Sequence, residues 1–234
     1  MPRLPSLILF ARAPEPGRVK TRLARVLTDA GAATLYRAFL EDAARVYLKP
    51  ARWRSVLCAD PPGHPALAGV FADPWLVEPQ APGGLGERLC SAFAREFARG
   101  APACAAIGAD HPALPRGRIE DLFDRLDRGL EAAVIPAEDG GYCAIGLRAG
   151  VPPALVFDRI EWSTAAVLRQ TLQRMDASGV RWERLGASYD VDRPEDLDRL
   201  RRDLADRDRA AEDFPSATAR ALAALDAGPR GASP

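Results

Sequence analysis

SLILFARAPEPGRVKTR, residues 6–22, decides the fold. Leu7 to Ala11 form an unbroken apolar run that stops at a loop containing Pro14, Pro16 and Gly17. A short apolar run closed by turn residues is the pattern of a strand buried on both faces. The loop runs directly into helical spacing over residues 21–27 and again over 30–47. Strand, glycine-bearing loop and helix in that order open an α/β unit, and in such units ligands bind beyond the carboxyl ends of the strands.

Working outward, the same alternation continues. Short apolar runs predict strands over 55–59, 75–77, 103–108, 132–136, 142–147 and 180–185. Amphipathic spacing predicts helices over 85–99, 116–128, 164–175 and 194–209, with Gly100 and Gly129 as stops for the first two. The runs at 132–136 and 142–147 are joined by Ala-Glu-Asp-Gly-Gly, short enough for a hairpin, so one strand is expected to be antiparallel. The expected architecture is a three-layer, Rossmann-like α/β sandwich around a mostly parallel sheet. It forms one domain over 1–209, a helical extension over 210–227 and a disordered tail over 228–234.

A chain of 234 residues, 47% of them apolar, can bury a full core. Its formal net charge of zero gives no field to draw in nucleic acid or an anionic membrane. No apolar run is long enough to span a bilayer. Cys58, Cys90, Cys104 and Cys143 form no closely spaced pair and read as free thiols of a reducing compartment, so the cytoplasm is expected. The 215–225 segment suits a terminal helix that packs either on its own domain or on a second copy. Arginine dominates the basic residues; Lys20 and Lys49 are the lysines, and Lys20 lies in the opening loop.

Six stretches carry candidate chemistry. Arg12, Gly17, Arg18, Lys20 and Arg22 place a flexible turn and clustered cations at a helix start, either a cradle for nucleotide phosphates or a solvated basic turn. The loop is neither a Walker A loop nor a GxGxxG turn. Asp110 follows an apolar strand directly, at the edge where a ligand would sit; a turn before Pro112 explains it equally well. Asp192 lies two residues before Pro194, where it could cap the next helix or supply a second metal carboxylate. Asp190 and Asp192 should point to opposite sides of extended backbone. Gln80, Gly83, Gly86 and Arg88 form a glycine-rich entry to a helix that suits a base or ribose contact. Asp139, Gly140, Gly141 and Tyr142 read as a hairpin turn or as exposed backbone N–H groups for an acceptor or sugar. Glu161, Trp162, Ser163 and Thr164 could line an acceptor or sugar pocket, and Ser163 or Thr164 is also placed to cap the next helix. No serine sits in a GxSxG elbow.

Read in series, PGRVKTRL (16–23), GGLGERL (83–89), GADHPAL (108–114), PAEDGGYCAIGL (136–147), IEWSTAAVL (160–168) and YDVDRPEDL (189–197) resemble a bacterial family of glycosyltransferase proteins of the GT-A type, linked to arsenosugar biosynthesis. They are similar, more distantly, to the phospholactate guanylyltransferases. The resemblance reaches to about residue 209. It implies a nucleotide-diphospho-sugar transferase fold with Mg²⁺ or Mn²⁺ held by Asp110 and Asp192. It also implies a phosphate loop at Gly17, Lys20 and Arg22, and a nucleotide or nucleotide-sugar donor with a small-molecule acceptor. Gly84 stands where relatives often carry Asp, and His111 where a small residue is frequent. The expected activity is metal-dependent glycosyl transfer, in which the ion with Lys20 and Arg22 neutralises the leaving phosphate. Nucleotidyl transfer to a small phosphorylated substrate and nucleotide binding without turnover are the alternatives.

Overall fold

The computed structural model describes residues 3–48 and 52–227; the stretch read as a disordered tail, 228–234, lies outside them. Strands β1 (Ser6–Arg12), β2 (Arg54–Asp60), β3 (Leu76–Pro79), β4 (Ala103–Gly108), β5 (Ala132–Pro136), β6 (Tyr142–Arg148) and β7 (Trp182–Arg184) form one sheet. Their order is β3-β2-β1-β4-β6-β5-β7. All neighbours run parallel except β6, which is antiparallel to both β4 and β5, as the short 136–142 connection requires. The α/β class and the hairpin expected from the sequence are both present.

Alternation along the strands explains the two covered faces. Leu7, Leu9 and Ala11 of β1, with Ala105 and Ile107 of β4, enter one core. Helices α1 (Ala24–Val46), α4 (Arg116–Asp127), α7 (Pro194–Asp206) and α8 (Ser216–Ala227) close it. Ile8, Cys104, Ala106 and Val134 enter the other core. There α3 (Leu85–Ala98), α5 (Pro153–Phe157) and α6 (Val167–Ala177) supply Phe93, Phe157 and Met175. A four-residue helix, α2 (Pro65–Ala68), follows β2.

Two details differ from the spacing. Residues 21–23 are a turn, and α1 begins at Ala24; its two predicted segments meet at Thr28, where φ is +63°. The Thr28 hydroxyl accepts from the Gly31 N–H (3.2 Å) and so caps the second segment. The helix expected over 164–175 starts only at Val167, with Ala166 at its N-cap. Helix α8 packs on α1, where the buried Asp42 carboxylate accepts from the N–H groups of Ala217 (3.0 Å) and Thr218 (2.7 Å). Among the described residues no helix is long and apolar enough to cross a membrane.

Candidate active site

Connections leave β1 for β2 on one side of the sheet and reach β4 on the other. The crevice beyond the carboxyl ends of β1 and β4 is therefore the place where the strand order reverses. A cleft of about 640 Å³ opens there, lined by Phe10 to Arg12, Lys20, Gly83, Arg88, Asp110, Trp162 and Asp192. A second cavity of about 590 Å³ shares Phe10, Gly108, Asp110, Trp162 and Ser163 with it and extends under β6. Both volumes lie within the roughly 300–1,000 Å³ usual for small-molecule sites.

Lys20 lines the first half, beside the Asp110 that both halves share. Its backbone has φ +48°, a left-handed conformation that a side-chain-bearing residue holds only when its surroundings dictate it. The ammonium lies 2.6 Å from Asp110 Oδ1 and 3.9 Å from Asp192 Oδ1, with the Lys20 side chain only 6% exposed. Arg22 Nη1 meets the other oxygen, Asp192 Oδ2, at 2.6 Å. The Val191 N–H donates to the Asp110 carbonyl (2.9 Å) and so ties the two aspartate segments together. Partial burial pushes the Asp110 carboxyl up, but the facing Lys20 ammonium outweighs it and holds the group below the usual carboxylate range.

Helix capping does not occupy Asp192. Arg193 is at the N-cap of α7, and Asp196 accepts from the N–H groups of Asp192 (2.9 Å) and Arg193 (2.6 Å). The Asp192 carboxylate is thereby left to the cations. Asp190 lines the second cavity while Asp192 lines the first, which is the opposite placement that extended backbone predicts.

A tight polar network forms the far wall of the first half. Gln80 donates to the carbonyls of Ala11 (3.2 Å) and Cys58 (2.9 Å), tying the ends of β1 and β2 together. Arg88 donates to Gln80 Oε1 (2.8 Å), Asp60 Oδ2 (3.2 Å) and the Gly83 carbonyl (3.0 Å). Arg12, 65% exposed, leans toward Asp60 (3.8 Å), and its backbone N–H donates to the Tyr36 hydroxyl (3.1 Å). Two glycines expected to meet a ligand do not line either cavity. Gly17 turns the loop at φ +75° and faces Asp29. A Cβ on Gly86 would lie 2.6 Å from the Trp162 ring nitrogen, so this glycine makes room for the tryptophan that lines both halves.

The second half is built differently. Tyr142 and Trp162 meet edge to face at 6.3 Å, and Asp139, Asp190, His111 and Cys143 stand on the remaining wall. His111 Nδ1 lies 3.2 Å from the Tyr189 carbonyl, and burial lowers the pKa of its ring. Burial, then Asp139, raises the Asp190 carboxyl. Several expectations fail here. Glu161 is exposed and outside the lining, its carboxylate held by Gln170 Nε2 (2.9 Å). The N–H groups of Gly140 and Gly141 are committed within the turn, to the Ala137 carbonyl (3.4 Å) and Asp139 Oδ1 (2.8 Å). Ser163 lines both halves and Thr164 lines this one; as a cap, Thr164 serves a local turn by accepting from the Ala166 N–H (3.2 Å), not the first turn of α6.

Asp60, Tyr36, Asp190 and Cys143 join the site without having been singled out as ligand-binding candidates. Asp60 ends an apolar strand just as Asp110 follows one, and that signal was available. Tyr36 arrives from the middle of a helix, where spacing marks it only as core.

The model of a family described as "uncharacterized protein conserved in bacteria" (DUF2064) matches residues 43–164. A solved protein of Desulfovibrio desulfuricans G20, provisionally assigned as a nucleotide-diphospho-sugar transferase, is 30% identical. It superposes with a TM-score of 0.84 over 96% of this chain and 97% of its own. A cytidylyltransferase of Leptospira borgpetersenii shares the fold at 12% identity (TM-score 0.55, 98% and 96% covered). A 4-diphosphocytidyl-2C-methyl-D-erythritol synthase shares it at 14% identity (TM-score 0.54, 86% and 99% covered). None of the curated proteins matches the sequence.

Proposed function

We propose, starting from the fact that this chain belongs to the DUF2064 family, that it is a transferase working on a nucleotide-activated donor, with a nucleotide-diphospho-sugar as donor and a small acceptor. The observation that carries the reading is the buried Lys20 ammonium facing Asp110 and Asp192 in the crevice between β1 and β4. The assignment of the 30%-identical relative supports it.

The residues suit a divalent cation. Both aspartates already face one common cation, so their oxygens converge. Among the described residues no group of three or more His, Cys, Asp or Glu side chains is placed to hold a metal ion, so further ligands would be phosphate oxygens and water. That donor set matches Mg²⁺ or Mn²⁺. The ion, when bound, supplies positive charge at the diphosphate.

The chain's own groups do the rest. Lys20, with Arg22 and Arg12 around it, holds the phosphates and stabilises charge on the departing diphosphate. Arg88 and Gln80 shape the wall on which the nucleoside lies, and Trp162 screens the meeting point of the two halves. The acceptor oxygen bonds to the anomeric carbon as the sugar–phosphate bond breaks; the electron pair leaves with the diphosphate and the hydroxyl proton passes to water. Nucleotidyl transfer is the second reading. The cations of the opening loop favour it, since they suit a triphosphate. Nucleotide binding without turnover is the third, and formation of any product excludes it. The arsenosugar association belongs to the first reading, with arsenic-bearing polyols among the acceptors to try.

Thermal shifts with nucleoside triphosphates and nucleotide sugars, each with and without Mg²⁺ or Mn²⁺, test the reading. Metal-dependent stabilisation by a nucleotide sugar above its triphosphate is expected, and Asp110→Asn and Asp192→Asn should abolish it. The reverse preference, with pyrophosphate release, transfers the assignment to nucleotidyl transfer.

A further inference from the structure

The half of the cleft beyond Asp110 has a wall chemistry that selects its occupant. Asp139 and Asp190 both line it, and among the described residues neither is in an ion pair; Asp139 accepts from the Gly141 N–H (2.8 Å), and Asp190 feels the His111 ring and the Lys20 ammonium only at longer range. Of the cations on this wall, Arg22 is held by Asp192, and Arg193 lies exposed at the mouth. His111 sits beside Asp110 with its Nδ1 on a backbone carbonyl. Trp162 and Tyr142, edge to face at 6.3 Å, line the same cavity.

We propose that this half receives an uncharged or cationic polyhydroxylated acceptor, and that Asp139 and Asp190 are the residues that exclude phosphate- and carboxylate-bearing ones. The proposal rests on the transferase reading of the same cleft. Carboxylates accept hydrogen bonds from hydroxyl or ammonium donors and offer none in return. Aromatic rings cover the apolar C–H surface of a polyol, so carboxylates and rings in one cavity together match a molecule that carries both hydroxyls and exposed carbon. A phosphate placed there would meet two like charges, and repulsion of that kind is how a site rejects a competitor. Transfer to a phosphorylated substrate is thereby disfavoured, whichever group is transferred.

The experiment is a calorimetric titration with matched probes: glycerol against glycerol 3-phosphate, and glucose against glucose 6-phosphate, with glucosamine as the cation. Each is run on the free protein and with UDP or GDP plus Mg²⁺. The neutral and cationic members are expected to bind at least about tenfold tighter than the phosphorylated ones, with or without nucleotide. Asp139→Asn/Asp190→Asn should narrow or reverse that ratio; the single variants serve if the double variant does not fold. Equal or tighter binding of the phosphorylated member, no binding by any neutral or cationic probe, or a ratio unmoved by the substitutions overturns the proposal. A sugar that binds alongside UDP but is displaced by UDP-glucose occupies the donor's sugar position, and that also overturns the acceptor assignment. Nucleotide binding is titrated separately. Its loss with the probe preference intact sinks only the transferase reading; the converse sinks only this one.

Discussion

Around Lys20 the carboxylates face cations: Asp110 meets Lys20, Asp192 meets Arg22, and Asp60 meets Arg88. Across Asp110, Asp139 and Asp190 form no ion pair among the described residues, although His111 and Lys20 act on Asp190 from a distance. Each of those three carboxylates thus has a cation to balance it before any ligand arrives, while the second half is left negative. The balanced half holds its side chains by ion pairs, so a polyanion can exchange partners with them. The negative half holds its shape by backbone packing and rewards a donor of hydrogen bonds.

The largest expected effect comes from removing the cation at the junction. Lys20→Ala should weaken nucleoside di- or triphosphate binding by about 100-fold, or ~2.7 kcal/mol. Stability should fall by about 1–2 kcal/mol, discounted because Asp110 and Asp192 remain 43% and 33% exposed. Lys20→Gly should lose the same affinity yet be about 1 kcal/mol more stable than Lys20→Ala, since glycine holds φ +48° without strain. An unchanged dissociation constant would return the loop to a solvated basic turn and erase the contrast between the halves.

On the other side, the contrast rests on packing. A Cβ at Gly140 would lie 2.4 Å from the Ala165 carbonyl oxygen, at a backbone φ of +93°. Gly140→Ala should destabilise the fold by about 2 kcal/mol in denaturant melts. Gly63→Ala, at φ +73° with open space around it, should lose only about 1 kcal/mol. Equal losses would show that the wall of the second half does not depend on that close approach.

The sequence was more legible for the balanced half. Asp110, Lys20 and Arg22 stand at the ends of a strand or the start of a helix, where an apolar run changes abruptly to charge. In the second half Asp139, Gly141, Tyr142, Trp162, Ser163 and Thr164 line the cavity but Gly140 and Glu161 do not, because period and turn chemistry locate a residue without aiming its side chain. Glu161 lies in the expected loop but turns to Gln170, and Gly140 lets the backbone at Ala165 approach closely. The fold was legible for a different reason: runs such as 103–108 are apolar on both faces, which leaves little choice but a central strand.

Arg88 tests the polar wall of the first half. Arg88→Met keeps the stem but removes the donors to Gln80, Asp60 and the Gly83 carbonyl. Loss of about 1 kcal/mol of stability is expected, with a several-fold loss in nucleotide affinity. Retention of both would mean that Gln80 alone holds the wall.

The smallest effect has the sharpest sign. In the folded chain the Asp190 carboxyl is raised above its ordinary value, by burial first and by Asp139 next. The folded state therefore binds this proton more tightly than the unfolded chain does, and the ionised carboxylate opposes folding at pH values above the unfolded pKa of about 4. Removing that charge should help where it is present. Asp190→Asn should stabilise the protein by about 0.5 kcal/mol near pH 7.5, and the gain should fade as the pH drops through the folded pKa toward 4, where the wild-type group is itself neutral. A charge balanced like those around Lys20 would give the opposite sign, with Asn less stable at pH 7.5. Melting curves of the two proteins at several pH values thus report directly whether the second half is left negative.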